Sequence, residues 1–178
     1  MRRLARVALV VAAVLLASPA QAADRSDLLI HHLLDLDQQA LFGDDYTPLA
    51  EMEAWGELYA AAREEAVADD SADRRGIKTF MLIGWIARQR ADFGTIEGFN
   101  TDFKALFDAR PNDVLAALAD TEFMLPEMCR YLAGFFFFED ADPDKRQGFV
   151  DANTHRMERH LGEAGQAACL DAFWAVKS

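Results

Sequence analysis

Residues 47–66, TPLAEMEAWGELYAAAREEA, decide the fold class. Thr47 is an N-cap residue, and Pro48 suits the first helical position, where a missing N–H costs nothing. Leu49, Met52, Trp55, Tyr59, Ala62 and Ala66 then recur at helical spacing as one apolar stripe. Glu51, Glu53, Glu57, Arg63 and Glu64 lie mostly off that stripe. The stretch is an amphipathic helix that carries the signal for its own start.

The same pattern repeats outward in both directions. Upstream, Ser26 caps a segment in which Leu29, Leu33, Leu36 and Ala40 share a face, and Gly43 closes it. Downstream, Asp69-Asp70-Ser71 is a polar turn ahead of a dense apolar run from Ile77 to Ala87, including Phe80, Met81 and Trp85. Apolar residues on nearly every face of such a run predict a central, buried helix. Its flanks, Arg74-Arg75 and Arg88-Gln89-Arg90, extend it as helix formers and lack the turn residues that bound a strand. Asp92 to Gly98 reads as a loop with Gly94 and Gly98 as breakers, followed by a short helix marked by Phe99, Phe103, Leu106 and Phe107. Arg110-Pro111 and Leu125-Pro126 open two further helices. Asp142-Pro143 repeats the cap-then-proline device ahead of a helix that ends before Gly162. A last helix groups Cys169, Phe173 and Val176.

No segment alternates as a strand does, and no Asn-Gly hairpin turn occurs. The fold class is therefore all-α. Connections of about two to six residues imply antiparallel neighbours, in a compact irregular bundle of about six to eight helices. Stacked helical hairpins, a short α-solenoid, would also satisfy the pattern, although no repeat period is evident.

The N-terminus carries an address. Arg2, Arg3 and Arg6 precede an apolar run over residues 7–17, Pro19 breaks it, and Ala20-Gln21-Ala22 places small residues where a signal peptidase cuts. This order predicts a cleaved secretory signal peptide over 1–22 and a single helical domain over 23–178. The run is about half the roughly 20 apolar residues a membrane span needs. The expected location is periplasmic or secreted, with no stable membrane insertion after cleavage. Loss of three arginines takes the formal charge from −12 to −15. A surface that acidic repels nucleic acid and anionic lipid, and attracts basic partners.

An exported chain with two cysteines, Cys129 and Cys169, is expected to join them. Closing a loop of that length stabilises by about 4 kcal/mol in the chain-entropy picture. No CxxC or His/Cys cluster suggests zinc. No serine sits in a nucleophile elbow, so no catalytic residue and no cofactor are assigned. His155 and His160 are five residues apart, which turns them away from each other and toward solvent. His31 and Asp35, one turn apart, read as a local hydrogen bond rather than half of a metal site.

Two local sequences invite a functional reading. Asp140, Asp142, Asp144 and Asp151 stand at the first, third, fifth and twelfth positions of a calcium loop. Lys145 occupies the position that needs glycine, however, and the simpler reading is an acidic helix cap: Asp142 caps, Pro143 starts, Asp144 complements the dipole. The second is Gly134 to Phe138, whose four consecutive phenylalanines cover most of a helix circumference. Either that helix end is surrounded, or a ring is exposed. An exposed Phe137 or Phe138 beside Glu139, Asp140 and Asp142 would make an aromatic anchor with an acidic rim, suited to a basic protein.

The expected function is accordingly an exported, acidic protein-binding module, for instance an inhibitor or immunity-type protein. A carboxylate-dependent hydrolase of cell-envelope glycan is the alternative, and would require a carboxylate pair across a cleft. A structural or stress-related helical protein without a dedicated ligand is the third reading.

Overall fold

A computed structural model describes residues 49–89, 93–138 and 142–176, which fall within one compact unit. Among the described residues there are six α-helices and no strand. They are α1 (Leu49–Ala68), α2 (Arg75–Gln89), α3 (Phe93–Ala109), α4 (Pro111–Asp120), α5 (Leu125–Phe138) and α6 (Pro143–Ala175), with a single 3-10 turn at Glu122–Met124 leading into α5. The expected helix over 26–43, the segment 1–22, and His31, His32 and Asp35 lie outside the described residues.

The all-α expectation holds, and the arrangement is a bundle. Helices two apart in sequence pack together, α3 on α5 and α4 on α6, while α2 touches α1, α3, α4 and α5. As its composition predicts, α2 is central: Ile77, Phe80, Met81, Ile83 and Ala87 are all buried. Its start is held from the preceding turn. Ser71 Oγ accepts from Arg75 N at 3.1 Å, and Asp69 Oδ2 accepts from Ile77 N at 3.1 Å, so two N–H groups at the helix start find partners.

Of the loop expected over Asp92 to Gly98, residues 93–98 are instead the first part of α3, which is helical from Phe93; Asp92 lies outside the described residues. Ile96, Phe99, Phe103, Leu106 and Phe107 form one continuous buried stripe. Burial of that stripe outweighs the roughly 1 kcal/mol that each glycine costs in a helix. The stripe supplies two ring clusters. Phe99 meets Phe80 at 4.6 Å and Tyr131 at 4.5 Å, and stacks on Phe103 at 5.3 Å. Phe107 meets Phe149 at 5.3 Å, and Phe149 in turn contacts Phe136 and Phe173. Such pairs add about 0.5–1.5 kcal/mol each beyond the area they bury.

The last helix folds back on itself. Along a straight helix Phe149 and Phe173 would stand about 36 Å apart, yet their rings stack at 5.8 Å with planes 14° apart. Gln166 Nε2 donates to the Thr154 carbonyl at 3.0 Å. The reversal is at Gly162, whose φ of 68° and ψ of 176° lie in territory open essentially to glycine alone. The sequence expectation of one helix ending at Gly162 and another following is therefore met by two antiparallel arms. Arg146 near the start of the first arm donates to the carbonyls of Phe173 and Val176 at the end of the second. Its guanidinium also lies over the Phe173 and Trp174 rings.

Candidate functional site

Cys129 and Cys169 are joined by a disulfide with the Cα atoms 5.4 Å apart, tying α5 to the second arm of α6. Both residues are buried. The bond links two elements that already pack through Phe136 and Phe173, so it closes a ring of contacts around the aromatic cluster.

Asp142, the described residue of the acidic segment after α5, forms the cap of α6. Asp142 has extended backbone, and its Oδ1 accepts from Asp144 N at 2.9 Å, with Pro143 in the first turn. Asp144 and Asp151 both lie on α6, where the rise per residue sets them about 10 Å apart along the axis. Asp151 accepts from Gln147 Nε2 at 2.8 Å. A calcium loop must wrap all its positions around one point; with residues 143–151 helical, that wrapping is not formed. No group of three or more His, Cys, Asp or Glu side chains among the described residues is placed to hold a metal ion. Asp140 lies outside the described residues.

The phenylalanine run divides. Phe136 is 7% exposed and sits between Phe149 and Phe173, while Phe135 is half-buried and meets Phe136 edge-on at 5.4 Å. Lys104, from α3, caps this group. Its Nζ lies 5.2 Å from the Phe135 and Phe149 ring centres and 5.6 Å from that of Phe136. Asp108, one turn on, holds the ammonium through both carboxylate oxygens at 2.6 and 2.7 Å. Phe135 and Phe136 therefore belong to the core and its lid. The backbone of Phe137 and Phe138 completes α5; the anchor expected from their rings, with Glu139 and Asp140, falls outside what is described.

Exposed aromatic surface occurs elsewhere. Phe93 is 78% exposed, Phe123 63% and Trp174 43%. Phe123 stands edge-on to Trp85 at 5.7 Å. No sequence signal distinguishes these rings from core residues, because each depends on which helix packs over it.

Two carboxylates largely withdrawn from solvent are both paired with arginine. Asp102, 20% exposed, forms an ion pair with Arg63 Nε at 2.9 Å and accepts from the Tyr59 hydroxyl at 2.7 Å. Burial, reinforced by the hydrogen bond and charge of Asp102, holds the Tyr59 proton well above the usual tyrosine range. Glu127, 16% exposed, accepts from Arg130, and the Arg88 guanidinium stands 3.6 Å away. Carboxylates so engaged suit structural ion pairs. His155 faces solvent with 94% of its side chain exposed.

Charge is unevenly spread along the chain. Residues 51–73 hold eight acidic residues against one basic residue, Arg63. On α1, Leu58, Ala62 and Ala66 face the core while Glu57 and Glu64 are exposed. Glu57 and Glu64 are seven residues apart, two turns along the outer face. Asp70 continues this exposed acidic surface into the following turn. No protein-family model, curated protein or solved structure matches this chain.

Proposed function

We propose that this chain is an exported protein-binding module whose acidic outer face on α1 engages a basic protein, in the manner of an inhibitor or immunity-type protein. The observation that carries the reading is the charge distribution. Eight carboxylates fall within residues 51–73, and Glu57, Glu64 and Asp70 are exposed. Like-signed charges on one face raise local potential, steer an oppositely charged partner and repel partners of the same sign. The arginine-paired Asp102 and Glu127 favour binding over carboxylate catalysis, since each is engaged by a cation of the fold rather than facing a second carboxylate across a cleft.

The test is a binding titration of the isolated protein against a basic cell-wall hydrolase such as lysozyme, with cytochrome c as a second basic protein lacking that activity. Discrimination between the two of at least about tenfold, about 1.4 kcal/mol, supports a specific binder. Binding should weaken as salt is raised through the range where the Debye length falls below about 8 Å. The variant Glu57→Gln/Glu64→Gln/Asp70→Asn should lose most of the affinity. Equal binding by the variant, or no binding to either protein at low salt, refutes the proposal.

A further inference from the structure

An open groove of about 280 Å³ runs between α1 and α3. Buried Phe80 and Leu106 line its interior, with Val67 on α1 and Ala109 on α3. Contacts fix its two ends. Arg63 reaches Asp102 at one, and at the other Arg110 Nη1 donates to the Ala66 carbonyl at 3.1 Å. Asp102 and Arg110 are eight residues apart along α3 and its C-terminal junction, so the groove is about 12 Å long.

We propose that this groove binds a small monocarboxylate with an apolar body, of the size of an eight-carbon acid. The lining is mostly apolar, with two guanidinium groups and one carboxylate at its ends; each arginine has a carboxylate partner, Asp102 for Arg63 and Asp113 for Arg110. The two arginines are not equivalent. Arg110 gives Nε and Nη2 to Asp113 at 3.2 and 3.0 Å, besides Nη1 to Ala66, and is largely committed to structure. Arg63 Nε forms an ion pair with Asp102 at 2.9 Å, and Asp102 is fixed in turn by the Tyr59 hydroxyl. The ion pair tethers the guanidinium at the groove and leaves its two terminal amino groups for a second acceptor. A planar carboxylate matches such a fork, and an ammonium or hydroxyl does not.

The groove volume is at the lower end for ligand sites, which are concave, mostly apolar and carry a few convergent polar groups. An acid of eight carbons would lay its chain over Phe80 and Leu106 and present its head to Arg63. This proposal does not rest on the acidic outer face of α1, and it stands if the protein-partner reading fails.

Titration of the isolated protein with sodium octanoate, followed by calorimetry or by tryptophan fluorescence, tests it. Octanoate should bind at one site with a Kd of about 10–300 µM. Octanol and octylammonium should each bind at least about tenfold more weakly, because one lacks the charge and the other reverses it. Arg63→Gln should weaken octanoate at least about tenfold with little effect on octanol. Ala105→Phe, at an exposed lining position of α3, should fill the groove and remove binding while leaving the helical circular dichroism unchanged. Absence of saturable octanoate binding by about 1 mM, equal affinity for octanol, or octanoate binding unchanged in the folded Arg63→Gln or Ala105→Phe protein overturns the assignment.

Discussion

Substituting Gly84 by alanine sets two opposing effects against each other, and the structure decides between them. Alanine in a helix interior is favoured over glycine by about 1 kcal/mol. At Gly84, however, a Cβ would stand 2.4, 2.5 and 2.7 Å from three carbons of the Phe99 ring. Carbon atoms in contact sit near 3.5–4.0 Å, so the ring must retreat by about 1 Å. It has little room to do so, because Phe80, Tyr131 and Phe103 lie against it and Phe99 is fully buried. Overpacking of this kind costs about 1–3 kcal/mol. Displacement toward Tyr131 also threatens its buried hydrogen bond to the Gly84 carbonyl, 2.7 Å long, worth about 1 kcal/mol. The net expectation is destabilisation by about 1–3 kcal/mol, a fall in Tm of about 3–10 °C for a domain of this size. Gly56→Ala is the internal control: that site is exposed on α1 with nothing within 4 Å of a built Cβ, so the same exchange should stabilise by about 0.5–1 kcal/mol. Thermal melts followed by circular dichroism measure both. Combining Gly84→Ala with Phe99→Leu should recover about 1 kcal/mol relative to additivity. Equal signs for the two glycine substitutions, or strict additivity with Phe99→Leu, would refute the packing argument.

Three further expectations follow from other parts of the molecule. Gly162→Ala should destabilise by about 1–3 kcal/mol through backbone strain alone, visible as a lowered urea midpoint, since no side chain crowds that position. Cys129→Ala/Cys169→Ala should cost about 4 kcal/mol, from the closure of a loop spanning 40 residues; a change below about 1 kcal/mol in urea titration would contradict the loop-closure origin. Tyr59→Phe should cost about 1 kcal/mol at neutral pH through loss of the bond to Asp102. Burial raises the Tyr59 proton affinity above its ordinary value of 10.0, so its contribution is complete below that pH and is lost as the pH rises beyond it. Urea midpoints compared between about pH 9 and 11 should therefore fall less steeply in Tyr59→Phe than in the parent.

Helix starts were the most legible part of this fold. Leu125-Pro126 and Asp142-Pro143 mark the start of α5 and the cap of α6, because proline at a first turn is a local matter of φ and a missing donor. The buried character of α2 was equally readable, since a helix apolar on most faces has to be surrounded. The start of α3 was not. Gly94 and Gly98 are weak helix formers locally, and the stripe from Ile96 to Phe107 wins only when α2 and α5 present Phe80 and Tyr131 to it. Gly162 announced an end but not a reversal, because the direction taken after a left-handed residue depends on what the next segment packs against. The groove was beyond sequence altogether: Arg63 and Arg110 are 47 residues apart and meet Asp102 and Ala66 only through the packing of α1 on α3.

The fold-back at Gly162 bears on the order in which the fold is completed during synthesis. The second arm of α6 is a latch: Cys169, Phe173 and the carbonyls that receive Arg146 all come from it. A ribosome stopping at residue 162 would release a chain with six helical segments in place but Cys129 without its partner and Phe149 without its stacked ring. Such a product would present a reactive thiol and an apolar seam together, the two marks by which proteases and thiol-handling enzymes recognise incomplete proteins. The second arm of α6 is thus the part that closes the aromatic seam and retires the Cys129 thiol.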